Sequence, residues 1–184
     1  MKLRFNEAKA AQAAARLLKL RGGRMSFLKL IKLLYIVDRE ALLRWGRPVT
    51  TDQYVSMDKG PVLSKIYDLI TDEPVAGVPT VWYSLISKPD QYEVSLLIDP
   101  PPSEELSPAE EQLIDEMFSQ LGAKSRWELV DISHTLPEWK NPEGSTIPIQ
   151  YEDILRAGKK PQNEINEILR ELDELGVVQA LTSH

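Results

Sequence analysis

The chain has no cysteine and only two histidines, His134 and His184. That excludes a disulfide framework, a thiolate zinc site and a cysteine nucleophile, and it leaves too little imidazole for a histidine-rich metal site. Metal chemistry would fall to carboxylates, none of which is spaced for it, so no cofactor is expected. No GxSxG nucleophile elbow and no glycine-rich phosphate loop occur. The most apolar stretch, FLKLIKLLYIVDREALLRW, is broken by Lys29, Lys32, Asp38, Arg39 and Glu40, so it will not span a bilayer. Residues Met1 to Leu20 are alanine-rich with Arg4, Lys9, Arg16 and Lys19 scattered through them, which is not a secretion signal. The expected compartment is the cytoplasm, with no membrane partner.

What is present fits a globular protein: 184 residues, 42% hydrophobic and 27% charged. The net charge of −6 conceals a division. Residues 1–50 carry 12 Lys and Arg against 3 Asp and Glu, a net of +9, and residues 51–184 carry 10 against 25, a net of −15. Such a split either folds one half against the other or turns each toward a different partner. A nucleic acid is the obvious partner for the basic half. An isoelectric point near 5.1 and the lack of aromatics interleaved with the basic residues disfavour it.

Local signals give a mainly α chain with a small antiparallel β-hairpin, built around one buried central helix. Asn6 caps a helix running to Leu20, and Gly22-Gly23 ends it. Ser26 opens a second helix to about Trp45, apolar nearly all round and therefore central. Tyr54 to Met57 alternates as a short strand does. Gly60-Pro61 then reads as a corner into a helix over roughly 61–71, with Pro61 at its first position. Residues 78–98 read as a hairpin turning at Lys88-Pro89-Asp90. Ser107 and Ser125 each begin a capping box, with Glu110 and Glu128. The stretches HTLPEW and NPEGSTIPI read as loop, and a short helix follows from Tyr151 to Ala157. Residues 1–160 are expected to form one domain. Residues 161–184 are expected to extend it as an acidic amphipathic helix, whose stripe of Ile165, Ile168, Leu169, Leu172 and Leu175 needs its own domain, a second copy or another protein to cover it.

Several segments together resemble a known family. They are Lys32-Leu33-Leu34-Tyr35-Ile36-Val37-Asp38-Arg39, Gly46-Arg47-Pro48-Val49-Thr50, Tyr54, Gly60-Pro61-Val62 and Tyr67. Further along come Leu129, Ser133-His134, Trp139 and Tyr151-Glu152-Asp153-Ile154. In this order they resemble the Panacea domain, the antitoxin SocA-like family of bacterial and phage proteins, over about residues 25–157. The chain departs from it after Asp38-Arg39, where Glu40 and Ala41 stand in place of an expected histidine. The resemblance implies an antitoxin that neutralises the toxin encoded beside it by direct binding, rather than an enzyme.

The candidate partner-binding residues follow from both readings. Tyr35, Asp38 and Arg39 share one face of the central helix, as a recognition patch or as an internal polar anchor. Asp58, Lys59, Gly60 and Pro61 form the corner, as a ligand-presenting turn or as a rigid joint. His134 and Trp139 flank Pro137, as a partner contact or as a packed loop. The acidic pairs Glu104-Glu105, Glu110-Glu111 and Asp115-Glu116 read as a solvated face. A small hydrolase using His134 with Asp131 or Glu138 is the least favoured alternative, since no nucleophile accompanies them.

Overall fold

Asn6 accepts a hydrogen bond from the Lys9 amide and starts α1 (Glu7–Leu20), an alanine-rich helix whose residues from Ala10 to Ala15 are buried. The computed structural model describes residues 2–74, 76–77 and 80–183. A glycine turn leads into β1 (Arg24–Ser26), and α2 (Phe27–Trp45) follows at once. Helix α2 buries Lys29 through Asp38 as well as Ala41 and Leu42, as expected of an axis with almost no polar face. Gly46 ends it in the left-handed conformation.

The corner is a hairpin rather than a strand-to-helix joint. Strand β2 (Tyr54–Met57) pairs antiparallel with β3 (Gly60–Leu63), and α3 (Ser64–Thr71) begins only after Leu63. Pro61 therefore lies in a strand and not at the first turn of a helix. The ladder tolerates it because the Ser64 amide bonds the Gln53 carbonyl, which places Ser56 opposite Pro61 as a pair that exchanges no backbone bond. Asp58 and Lys59 form the two-residue turn, and Gly60 takes a φ of 101°, open only to glycine without strain. Asp52 caps α3: its carboxylate accepts from the amides of Lys65 (3.0 Å) and Ile66 (3.1 Å).

The expected hairpin over 78–98 is only partly present; Val78 and Pro79 lie outside the described residues. Residues Trp82–Leu85 form one helical turn, α4, whose Trp82 amide donates to Glu7 of α1. The turn falls at Gln91 and Tyr92, with φ values of 50° and 66°, rather than at Lys88-Pro89-Asp90. Strand β4 (Glu93–Ser95) pairs with β1, far away in sequence, and meets its own hairpin neighbour only at the Ile86–Leu96 and Asp90–Glu93 bridges.

Helices α5 (Pro108–Leu121) and α6 (Arg126–His134) both start with complete capping boxes. Residues Ile147–Ile149, expected as loop, form β5 and complete a three-stranded sheet of order β3-β2-β5. Then come α7 (Tyr151–Ala157) and α8 (Gln162–Leu181). The α8 stripe is already covered by the chain itself, since Ile165, Ile168 and Leu172 join the main core and Ile168 packs on Gly46. Among the described residues no helix is long and apolar enough to cross a membrane.

The charge division folds inward. Arg16 makes two bonds to Asp115 (2.8 and 2.7 Å), Lys9 bonds Glu110 (3.0 Å), and Arg44 makes two bonds to Glu116 (2.8 and 2.9 Å). The acidic pairs of α5 are thus not a solvated face. They are the seam to α1 and α2, where basic and acidic side chains attract across it.

Candidate functional site

Two polar clusters meet at the hairpin, one beneath it and one around its tip. The lower cluster is built on α2. Asp38, fully buried, accepts from the amides of Val49 (3.0 Å) and Thr50 (3.0 Å), from the Thr50 hydroxyl and from the Tyr54 hydroxyl (2.9 Å). Burial pushes its carboxyl up to about 6 against the opposing pull of those bonds. One turn away, Tyr35 donates to Glu138 (2.9 Å) and Arg39 bonds the same carboxylate through Nε (2.6 Å). Burial, then the Glu138 charge, holds the Tyr35 phenol well above its ordinary range. The rings of Tyr35 and Tyr54 meet edge-on at 5.4 Å, and Tyr151 packs against Tyr54 while its hydroxyl donates to the Asp52 carbonyl (2.8 Å).

Lys32 lies under the corner itself. Its Nζ is buried and donates to the Pro61 carbonyl (2.8 Å), and burial lowers its amine to about 7. A Cβ added at Gly60 would fall 2.2 Å from Ser133 Oγ and 2.9 Å from Lys32 Nζ. Glycine is required there twice over, by its backbone angle and by the space.

The tip is clasped from the other side by the segment after α6. The Trp139 indole donates to the Met57 carbonyl (2.9 Å), His134 Nε2 lies 2.9 Å from the Asp58 carbonyl, and the two rings stack at 4.2 Å. The Lys140 amide donates to Ser56 Oγ (3.2 Å), and the Gly144 amide to the Asp58 carboxylate (3.0 Å). Because a carbonyl only accepts, the His134 proton sits on Nε2. What remains outside is the tip: Asp58 and Lys59 are exposed, with Lys59 Nζ 5.5 Å from the Trp127 ring centroid.

Lys32, Tyr35, Asp38 and Arg39 on one side, and Ser133, His134, Glu138 and Trp139 on the other, thus converge on one hairpin. Residues 30–140 match the model of the antitoxin SocA-like family, the Panacea domain. The chain belongs to that family. No curated protein and no solved structure is significantly similar to it.

Within this Panacea domain the residues expected to bind a partner divide by position. Tyr35 and Asp38 are buried, and both are fully engaged inside the fold; Arg39 is nearly so, held by Glu138. Gly60 and Pro61 are buried as well. His134 and Trp139 are half-buried and hold the tip, which leaves Asp58 and Lys59 as the exposed members of the set. His134 forms no pair with Asp131, and Glu138 is taken by Tyr35 and Arg39, so the hydrolase reading lacks its dyad among the described residues. Sequence reasoning did not single out Asp52 or Trp127, reached Lys32 and Ser133 as site residues only within the family resemblance, and named Glu138 only as a partner of His134 in the hydrolase alternative. Lys32 carried a usable signal, since a lysine in the middle of an apolar helix must find an acceptor.

Proposed function

We propose that this Panacea-domain protein neutralises a cognate toxin protein, encoded by an adjacent gene, through direct and non-covalent binding. The observation that carries the reading is the family match over residues 30–140, which spans both halves of the hairpin clasp. The geometry supports a binding module. Its conspicuous polar residues satisfy one another and hold a turn in place, and the histidine is bonded to a backbone carbonyl instead of facing a nucleophile. Neutralisation is then by occlusion or conformational trapping of the toxin.

Regulation by nucleic-acid binding is the weaker reading because the basic N-terminal half presents little free charge. Lys9, Arg16, Lys19, Arg24, Arg39 and Arg44 each meet a carboxylate, and Lys29 and Lys32 are buried on carbonyls. A duplex-binding face needs cations left over for phosphates.

Co-expression of the tagged protein with the product of the adjacent open reading frame tests the proposal. The expected result is growth arrest by that product alone, restored growth when both are made, and a complex that survives purification. A toxin that is not relieved, or a product that neither arrests growth nor binds, would overturn it.

A further inference from the structure

The apolar surface of this protein includes Trp127, 51% exposed in the first turn of α6, with two cations on its ring: Lys59 Nζ at 5.5 Å and the Arg126 guanidinium at 5.3 Å from the centroid. Neither cation forms an ion pair among the described residues, whereas Arg16, Arg24, Arg39 and Arg44 all do. The carboxylates near Lys59 and Arg126 in sequence bond backbone amides, Asp58 that of Gly144 (3.0 Å) and Glu128 that of Ser125 (2.7 Å). Asp131, one turn along α6, is the exposed acid on the same side. The other exposed large aromatics lack this arrangement. Arg44, next to Trp45, is drawn to Glu116 and Glu40, and Tyr92 rests against Phe27 at 6.4 Å.

We infer that Trp127, Lys59 and Arg126 form the contact surface for the toxin, which meets them with an apolar pocket rimmed by carboxylates. The inference deepens the proposed neutralising role and rests on it. Trp and Arg are the residue types that dominate binding energy at protein interfaces, above all where a central aromatic fills a pocket and charges ring it. The cations held over the ring have no ion-pair partner among the described residues, and this charge complementarity selects an acidic protein surface. The platform is also rigid. Lys59 stands on a hairpin tip held by His134, Trp139, Lys140 and Gly144, so little freedom is lost on docking. A nucleic acid could also stack on a tryptophan flanked by cations, but a chain of net charge −6 repels it overall.

The test measures affinity of the purified adjacent-gene product for the wild type, for Trp127→Ala, for the exposed double variant Lys59→Glu/Arg126→Glu, and for Trp45→Ala as a control. Folding of each is checked by circular dichroism. Trp127→Ala is expected to weaken binding roughly 30-fold or more, the range of an interface hot spot. The double variant is expected to slow association and flatten its salt dependence, and Trp45→Ala to bind as the wild type does. Unchanged affinity in Trp127→Ala and in the double variant would overturn this surface while leaving the antitoxin reading intact. Absence of any wild-type complex would overturn both. Binding of a DNA duplex that is lost in Trp127→Ala and falls steeply with salt would assign the surface to nucleic acid instead.

Discussion

Replacing Lys32 with methionine removes a buried amine of similar length and volume from beneath the corner, and its effect depends on pH in a way the structure dictates. In the unfolded chain the amine is charged below about 10.5. In the fold, burial lowers it to about 7, so it is neutral over the window between these values. A folded-state value below the unfolded one means the favourable contribution is fully present above 10.5 and is lost as pH falls toward 7. The whole shift corresponds to about 5 kcal/mol, at about 1.4 kcal/mol per unit. Of that, about 3 kcal/mol falls between pH 7 and 9.5. Asp38, raised to about 6, titrates below this range, and burial moves Tyr35 and Tyr54 above it; Lys29, also buried and lowered, is common to both proteins, so the difference between them reports Lys32.

Urea denaturation followed by tryptophan fluorescence at pH 7 and pH 9.5 measures the difference. The wild type is expected to gain about 3 kcal/mol more than Lys32→Met over that interval. At pH 9.5 the variant should be the less stable of the two by about 1–3 kcal/mol, because the Pro61 carbonyl loses its donor (2.8 Å). Parallel stability curves for the two proteins would show that the amine stays charged in the fold, and the account of the corner as a dry, neutral contact would fail.

The corner and its clasp make two further predictions. Gly60→Ala is expected to destabilise by about 2–4 kcal/mol, combining the positive φ with the Ser133 clash; Ser133→Ala in the same background should recover only part of it in urea melts, and full recovery would mean the backbone angle carries no strain. Arg39→Met leaves Glu138 buried with Tyr35 as its remaining donor and is expected to cost about 3–5 kcal/mol, while Arg39→Met/Glu138→Met together should cost less than the single change; a double variant worse than Arg39→Met would contradict that explanation.

The parts of the fold that were legible in the sequence depend on residues close to one another. Asn6, Ser107 and Ser125 cap helices by bonding amides three positions on, so the start of each helix is written within one turn of chain. The apolar run of α2 marks a central helix without reference to anything else. What was illegible depends on distant pairing. Arg24–Ser26 is a strand because Glu93–Ser95 lies beside it, and three residues carry no period of their own. Gly60-Pro61 looks the same whether a helix or a strand follows; β3 wins because β2 offers a ladder at once and α3 can start three residues later, on the cap that Asp52 provides. The site was half legible for the same reason. Tyr35, Asp38 and Arg39 were found by helical spacing. Their use could not be, since the deciding partner of Tyr35 and Arg39 is Glu138, about a hundred residues away.

That long reach bears on function. A hairpin of two four-residue strands is marginal by itself in water. Here every side of it is tied to a different stretch of the Panacea domain: Lys32 below, Ser133 against Gly60, and His134, Trp139, Lys140 and Gly144 around the tip. The polar residues of such a site invite an enzymatic reading, yet Lys32, His134 and Trp139 end their bonds on backbone carbonyls of the hairpin. The exposed charge of Lys59 is placed by the groups that hold the hairpin, and changes at Lys32 or Gly60 are expected to weaken binding only as far as they loosen the tip, which hydrogen exchange at the amides of residues 56–60 would report alongside affinity.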